Sequence, residues 1–381
     1  MQRSLHSGTH CEAIEWRGVL DDSVRQAWCD LLSRIPEAPI FYYPKWCELS
    51  ALAKAIHPWR ILLVWRNDRL IGLVPLQKRS PWCAEITAFF AQYTPPLLID
   101  PTAEDICWSV IADWMRQEKG LGMISFGPGS TDRRARYIEQ AFTSSGMVTS
   151  SRQLPATMRI ALPAHWEDYL ISLGKNTRRN LKQSEARLRR DFADVEIDMM
   201  TGEPACSAAL PDLIRLFRKR WQNQVGGSPL HDVRNTQAYT AIIRWAAQHG
   251  FLVMPVLRID GNVIAILTVF HIPGQQVAYC HTVARDVDAL PSSYSPGMVL
   301  YSNLLNQMIS RGVTCVDFGH GNAFYKQLLG GQELTVREIC VVRSRLASIL
   351  LPTIERSLYI ARRLPVHLAY HLRSFSSHES I

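Results

Sequence analysis

Asp317, His320 and Lys326 stand within ten residues of one another, among the glycines at 319, 321, 330 and 331. A carboxylate or imidazole beside a glycine-rich loop can take the proton from an attacking amine or hydroxyl, which must lose it to become nucleophilic. His320 would titrate near neutral pH. Lys326 follows Phe324-Tyr325 and offers a compact cation to a phosphate or carboxylate. Each residue also has a plainer use. Asp317 can hydrogen-bond the loop backbone, His320 can be structural, and Lys326 can be a surface lysine behind a buried aromatic pair. His281 lies two residues after Tyr279 in a strand-like run, so both point to one face. Ser295-Pro296-Gly297-Met298 opens an apolar helix pattern, where first-turn amides and the helix dipole would attract phosphate. That segment can equally be an ordinary N-cap.

The elements that must carry these residues repeat. Residues 120–129 and 312–321 are both short apolar runs closed by Phe-Gly-x-Gly, 192 residues apart. Ile61–Leu76 and Met254–Val269 match at an offset of 193. A duplicated domain is expected. Its copies differ chemically, because Asp317 and His320 replace Ser125 and Pro128. The working chemistry is therefore expected in the second half. Periodicity predicts helices over 22–34, 104–119, 166–190, 211–224, 235–249 and 297–310. It predicts strands over 60–66, 69–77, 121–126, 157–162, 251–259, 262–270, 276–284, 313–318 and 334–342, with hairpins turning on Asn67-Asp68 and Asp260-Gly261. The class is α/β.

A chain of 381 residues exceeds what one core usually serves. The boundaries expected are 1–160, 161–345 and a basic helical extension, 346–381. The nine cysteines include no Cys-x-x-Cys pair, which argues against a zinc ribbon or a disulfide framework. A reducing, cytoplasmic location is expected. The N-terminus lacks an apolar signal core, and no apolar run approaches the ~20 residues of a membrane span. The Walker, Rossmann, nucleophile-elbow and His-Glu-x-x-His signatures are missing, and no metal is expected.

The net charge of +8 is unevenly spread. Lys175, Arg178, Arg179, Lys182, Arg189 and Arg190 recur at helical spacing, a basic stripe about 24 Å long. Leu181, Leu188 and Phe192 fall on the other side. The stripe is either a solvated face or a surface for an anionic substrate, RNA or lipid headgroups. Residues 343–373 mix arginines with Leu350, Leu351, Ile354 and Leu358, which suits core packing, partner binding or contact with an anionic membrane.

Together, the basic Gly174-Lys175-Asn176-Thr177-Arg178-Arg179-Asn180-Leu181 segment, the Asp260–Ala265 hairpin, Ser295-Pro296-Gly297, Gly312–Phe318 and Tyr325-Lys326 with Gly330-Gly331 resemble the tandem-domain branch of the GNAT acyltransferases. That branch includes the FemABX-like transferases and acetyltransferases encoded with bacterial cellulose and exopolysaccharide synthesis. The resemblance covers roughly residues 40–345. It implies two tandem GNAT-like domains, each a mixed sheet flanked by helices, with the first degenerate and structural.

It further implies acyl transfer, most simply of acetyl from acetyl-CoA or another acyl-CoA, to an amine or hydroxyl of a small or saccharide-linked acceptor in exopolysaccharide or cell-envelope metabolism. Ser295, Pro296, Gly297 and Met298 would hold the donor. Lys326, Tyr325, Arg178 and Arg179 would hold substrate, and Asp317, His320 or His281 would handle the proton. The usual Arg/Gln-x-x-Gly-x-Gly/Ala donor loop is absent here. A FemX-like transferase using aminoacyl-tRNA is therefore a second expectation, and a non-catalytic scaffold in polysaccharide secretion a third. DNA is not an expected partner, and peripheral contact with the inner membrane is a minority alternative to core packing or partner binding.

Overall fold

The computed structural model describes residues 8–343, apart from 17, 36, 54–59, 81, 87–96, 131, 223–227 and 320–322. His320 and the C-terminal stretch from 344 onward, both singled out above, lie outside the described residues.

The first half runs β1 (Thr9–Glu15), α1 (Asp22–Ser33), α2 (Pro44–Ser50), β2 (Arg60–Arg66), β3 (Arg69–Ser80), β4 (Cys83–Ile86), β5 (Leu98–Ile99), α3 (Glu104–Gln117), β6 (Met123–Ser130), α4 (Asp132–Ser144) and β7 (Val148–Ala161). The second half runs α5 (Trp166–Ser172), α6 (Lys175–Asp191), β8 (Val195–Met200), α7 (Glu203–Trp221), α8 (Val233–Gln248), β9 (Leu252–Ile259), β10 (Asn262–Phe270), β11 (Val277–Arg285), α9 (Pro296–Ser310), β12 (Cys315–Asp317), α10 (Phe324–Leu328) and β13 (Gln332–Val342).

The strands form one sheet, ordered β1-β2-β3-β4-β6-β13-β7-β12-β11-β10-β9-β8, with β5 beside β3. The duplication is visible in its two wings. β1 to β4 are antiparallel, and β4 then meets β6 in parallel. β8 to β11 are antiparallel, and β11 then meets β12 in parallel. Asn67-Asp68 and Asp260-Gly261 sit at equivalent two-residue turns, with φ of 48° and 63° in one and 49° and 73° in the other. Positive φ at both central residues is the turn that matches strand twist, which is why these residue types stand there.

β7 and β13 join the wings. β13 lies between β6 and β7, so a strand late in the chain completes the sheet of the first half. The core crosses the junction too. Trp28, Phe41 and Trp46 share one hydrophobic cluster with Leu213, Tyr239, Ile242 and Phe270. Phe41 packs edge-on against Phe270 and Tyr279, with ring centroids 6.1 and 5.3 Å apart. On the other side of the sheet each wing keeps its own core, around α3 and α4 in the first and around α5, α6 and α9 in the second.

Several boundaries differ from the periodic reading. β7 starts well before 157, because its polar opening and Pro155 hide it from a hydrophobicity pattern. Pro155 pairs with Thr335 at a register shift, where a strand tolerates proline. α7 starts at Glu203, and its first-turn proline is Pro204, with Pro211 inside the helix. The basic region is two helices, broken at Leu173-Gly174. Leu181 and Leu188 of α6 are buried, as the stripe required. None of the nine cysteines forms a disulfide. Among the described residues no helix is long and apolar enough to cross a membrane.

Candidate active site

β11 and β12 pair only over Val277–Tyr279 and Cys315–Asp317. Past Asp317 the chain turns toward β7, with the Phe318 amide donating to Met158 O at 2.8 Å, while β11 runs on to Arg285. A cleft of about 540 Å³ occupies the gap. Arg220 from α7, Val283 and Arg285 from β11, Ser295–Met298 and Tyr301 from α9, and Phe324 and Tyr325 from α10 line it.

The opening of α9 shapes one wall. Ser295 takes the N-cap position in the left-handed region, φ 49° and ψ 54°, and its side chain makes no capping hydrogen bond. A non-glycine residue held there costs about 1–3 kcal/mol, and such strain collects at functional sites. Pro296 has no N–H to offer. The amides of Met298 and Val299 both return to Ser295 O, at 2.8 and 3.2 Å. Gly297 is then a first-turn amide without an acceptor one turn earlier in the helix. A Cβ built on Gly297 would meet no protein atom within 4 Å, so packing does not demand glycine there. Its effect is to keep the cleft wall low.

The loop before Ser295 is held by the basic helix. Arg187 of α6 donates to Ser293 O at 2.7 Å, and Tyr294 Oη donates to Asp191 at 3.0 Å. Arg187, outside the stripe of six cations, and Asp191 at the helix end therefore position this loop. Arg189 likewise pairs with Glu185 and Arg190 with Asp191.

The cleft floor is aromatic. Tyr301 and Tyr325 stack with centroids 5.3 Å apart and planes at 17°. Tyr301 Oη donates to Tyr325 Oη at 3.3 Å, which leaves the Tyr325 proton to be given elsewhere. Burial pushes both phenols up from the usual tyrosine range, Tyr301 strongly, so both are protonated at neutral pH. Arg220 opposes this shift for each, and its guanidinium donates to Val283 O. Phe324, 71% exposed, stands at the cleft mouth.

The sequence-level candidates are distributed unevenly around this cleft. Ser295, Pro296, Gly297, Met298 and Tyr325 come together in its wall. Lys326 does not line it. It is 4% exposed and donates inward to Gly319 O at 3.2 Å, and burial lowers its pKa below the usual lysine range. Asp317 is 1% exposed and turned toward β7. Its carboxylate accepts from Arg159 Nε at 2.8 Å, Thr157 Oγ1 at 3.3 Å and the Gly319 amide at 2.9 Å.

His281 is the extra residue of a β-bulge on β11. It stacks on Tyr239, centroids 5.8 Å apart, and its Nδ1 lies 3.0 Å from Thr282 Oγ1 among Phe41, Trp46 and Phe270. Arg178 and Arg179 open α6, outside the cleft lining. Arg220, Arg285, Tyr301 and Phe324 were missed by sequence reasoning. The one available signal was Arg285 closing a strand before a polar loop; Arg220 sits in a basic run that reads as a solvated helix end.

Residues 175–327 match the acetyltransferase (GNAT) domain. The fold is GNAT-like, and the matched domain supports a transferase. No curated protein matches the chain. Solved structures with the same fold include FemX, at 11% identity and a TM-score of 0.58, covering 86% of this chain and 96% of that one. L-PGS from Bacillus licheniformis shares 11% identity at a TM-score of 0.53, covering 89% and 97%. The C-terminal domain of a protein from Agrobacterium fabrum, described as a lysylphosphatidylglycerol synthetase, gives 11% and 0.53, covering 86% and 93%. At these identities the likeness is one of fold.

Proposed function

We propose that the chain is an acyltransferase that binds an acyl-CoA donor, most simply acetyl-CoA, in the cleft between β11 and α9. The observation that carries this reading is the cleft's own asymmetry. Arg220, Arg285 and the Gly297 amide suit phosphate, whereas Met298, Val283 and the Tyr301–Tyr325 stack suit an apolar arm ending in a thioester. The acceptor is an amine or hydroxyl of a small or saccharide-linked molecule in exopolysaccharide or cell-envelope metabolism. The acceptor attacks the thioester carbonyl; its new bond to carbon forms as the carbon–sulfur bond breaks. The leaving thiolate takes the Tyr325 proton, and the acceptor's proton passes to a base. Asp317 is fully engaged and sealed, which favours His320 for that role.

In this reading residues 161–345 do the chemistry. Residues 1–160 act as its structural, degenerate partner. Lys326, through its bond to Gly319 O, steadies the chain where it leaves β12. Titration calorimetry with acetyl-CoA on the wild type and on Arg285→Ala tests the donor. Binding weakened about tenfold by the loss of one charged hydrogen bond is expected. Absence of any acetyl-CoA binding to the wild type overturns the reading and returns the scaffold alternative.

A second reading is aminoacyl transfer from charged tRNA. The exposed cations at the start of α6, Lys175 and Arg179, favour it, as does the fold shared with FemX. Incubation with charged tRNA and mass spectrometry of the acceptors separates the two.

A further inference from the structure

A second hollow, about 390 Å³, lies between α5, α6 and α9 and shares no residue with the cleft. Its size falls within the range of small-molecule sites, about 300–1,000 Å³. Trp166 forms one wall. That ring is held by stacking on buried Tyr169, centroids 5.3 Å apart and planes at 29°, and Tyr169 is fixed in turn by its bond to Leu329 O. Lys182, Glu185 and Arg189 come from α6, and Ser302, Asn303 and Asn306 from α9, over a floor of Leu170 and Leu181.

The polar groups are already oriented. Asn303 Nδ2 donates to Val299 O at 3.0 Å and to Glu185 Oε2 at 3.1 Å. Both amide protons are thus used, and its Oδ1 is presented as an acceptor. Glu185 Oε1 pairs with Arg189. Lys182 has no carboxylate within ion-pair distance among the described residues and leaves the hollow net positive.

A rigid indole face beside amide and hydroxyl groups recognises a ring that is apolar on one face and hydroxylated at its rim. An added uncompensated ammonium recognises an anion on that ring. We infer that this hollow binds an acidic sugar, a hexose carrying a carboxylate or phosphate, at a site separate from the acyl-transfer cleft. The pyranose would lie on Trp166, its hydroxyls would meet Asn303, Asn306 and Ser302, and its anion would meet Lys182. The inference stands independently of the donor assignment, because its readout is binding and not turnover.

The experiment is calorimetry on the full chain with glucuronate, glucose 6-phosphate, glucose and inorganic phosphate. Both acidic sugars should bind, and glucose and phosphate should each bind about tenfold or more weakly, as expected when one charged contact or the stacking is lost. A response confined to glucuronate or to glucose 6-phosphate names the anion and supports the site. Asn306→Ala changes an exposed side chain and should weaken sugar binding several-fold with an unchanged melting temperature; Trp166→Ala should abolish it. Phosphate binding as tightly as glucose 6-phosphate would reduce the hollow to an anion site and overturn the inference. So would no binding by either acidic sugar, or equal affinity in the Asn306 and Trp166 variants.

Discussion

Arg159 Nε meets Asp317 Oδ2 at 2.8 Å, and this ion pair ties β12 of the second wing to β7, the strand that joins the wings. The carboxylate most suggestive of base chemistry in the sequence is thus held by a neighbour that only the fold supplies. Arg159 is 41% exposed on its side chain while Asp317 is sealed, so solvent screens one end of the pair.

Asp317→Asn should cost about 2 kcal/mol of stability, the scale of a buried charge-assisted hydrogen bond partly discounted for that exposure. Asp317→Ala should cost more, because three donors lose their acceptor. Urea unfolding measures both. Unchanged stability with abolished turnover would instead make Asp317 the base.

Gly331→Ala should destabilise the chain by about 1–3 kcal/mol through overpacking. A Cβ there would lie 2.6 Å from Lys326 O and 3.1 Å from Met158 Cε. The carbonyl belongs to the α10 turn and cannot move aside cheaply. Thermal unfolding of the variant is the check, and an unshifted transition would mean that the α10 turn yields.

Gly297→Val should leave the melting temperature nearly unchanged, since a Cβ there would meet no protein atom within 4 Å. It should raise the donor's Kd about tenfold or more by filling the wall of the cleft. Retained donor affinity would put the donor elsewhere.

His271 is buried, with its Nε2 3.0 Å from Gln275 O, and burial lowers its pKa below the ordinary 6.5. Its unfolded form therefore takes up a proton at higher pH than its folded form. The stability it protects is present above pH 6.5 and is lost as pH falls from there through the folded value. His271→Gln should flatten the stability profile on the acid side of pH 6.5. Gln275 also donates to Ala38 O at 3.1 Å, so the loss would be felt where the two halves meet. Superimposable profiles for the wild type and variant would dismiss this role.

The duplication was legible because a two-residue hairpin demands residues that accept positive φ. Asn67-Asp68 and Asp260-Gly261 announce the same turn twice. The loop at 295–298 was legible for a similar reason: proline and glycine at a helix start leave few other conformations. The cleft's arginines were not legible. Arg220 and Arg285 lie 65 residues apart, and no local pattern relates a helix end to a strand end. Lys326 misled in the opposite direction. A lysine between an aromatic pair and two glycines reads as reaching outward, yet Gly331 packs against the Lys326 carbonyl and the ammonium turns in to Gly319 O.

The sequence by itself determined the two-wing α/β plan, the hairpin turns, the amphipathic face of α6 and the proline-and-glycine start of α9. All of these follow from local periodicity and from residues with restricted backbone choices. Tertiary structure alone decided that β13 closes the sheet of the first half, that Phe41 and Trp46 share a core with Tyr239 and Phe270, and that Asp317 faces Arg159 and not the cleft. Those outcomes depend on pairings between segments distant in the chain, where each strand edge and apolar face takes whichever partner buries it best.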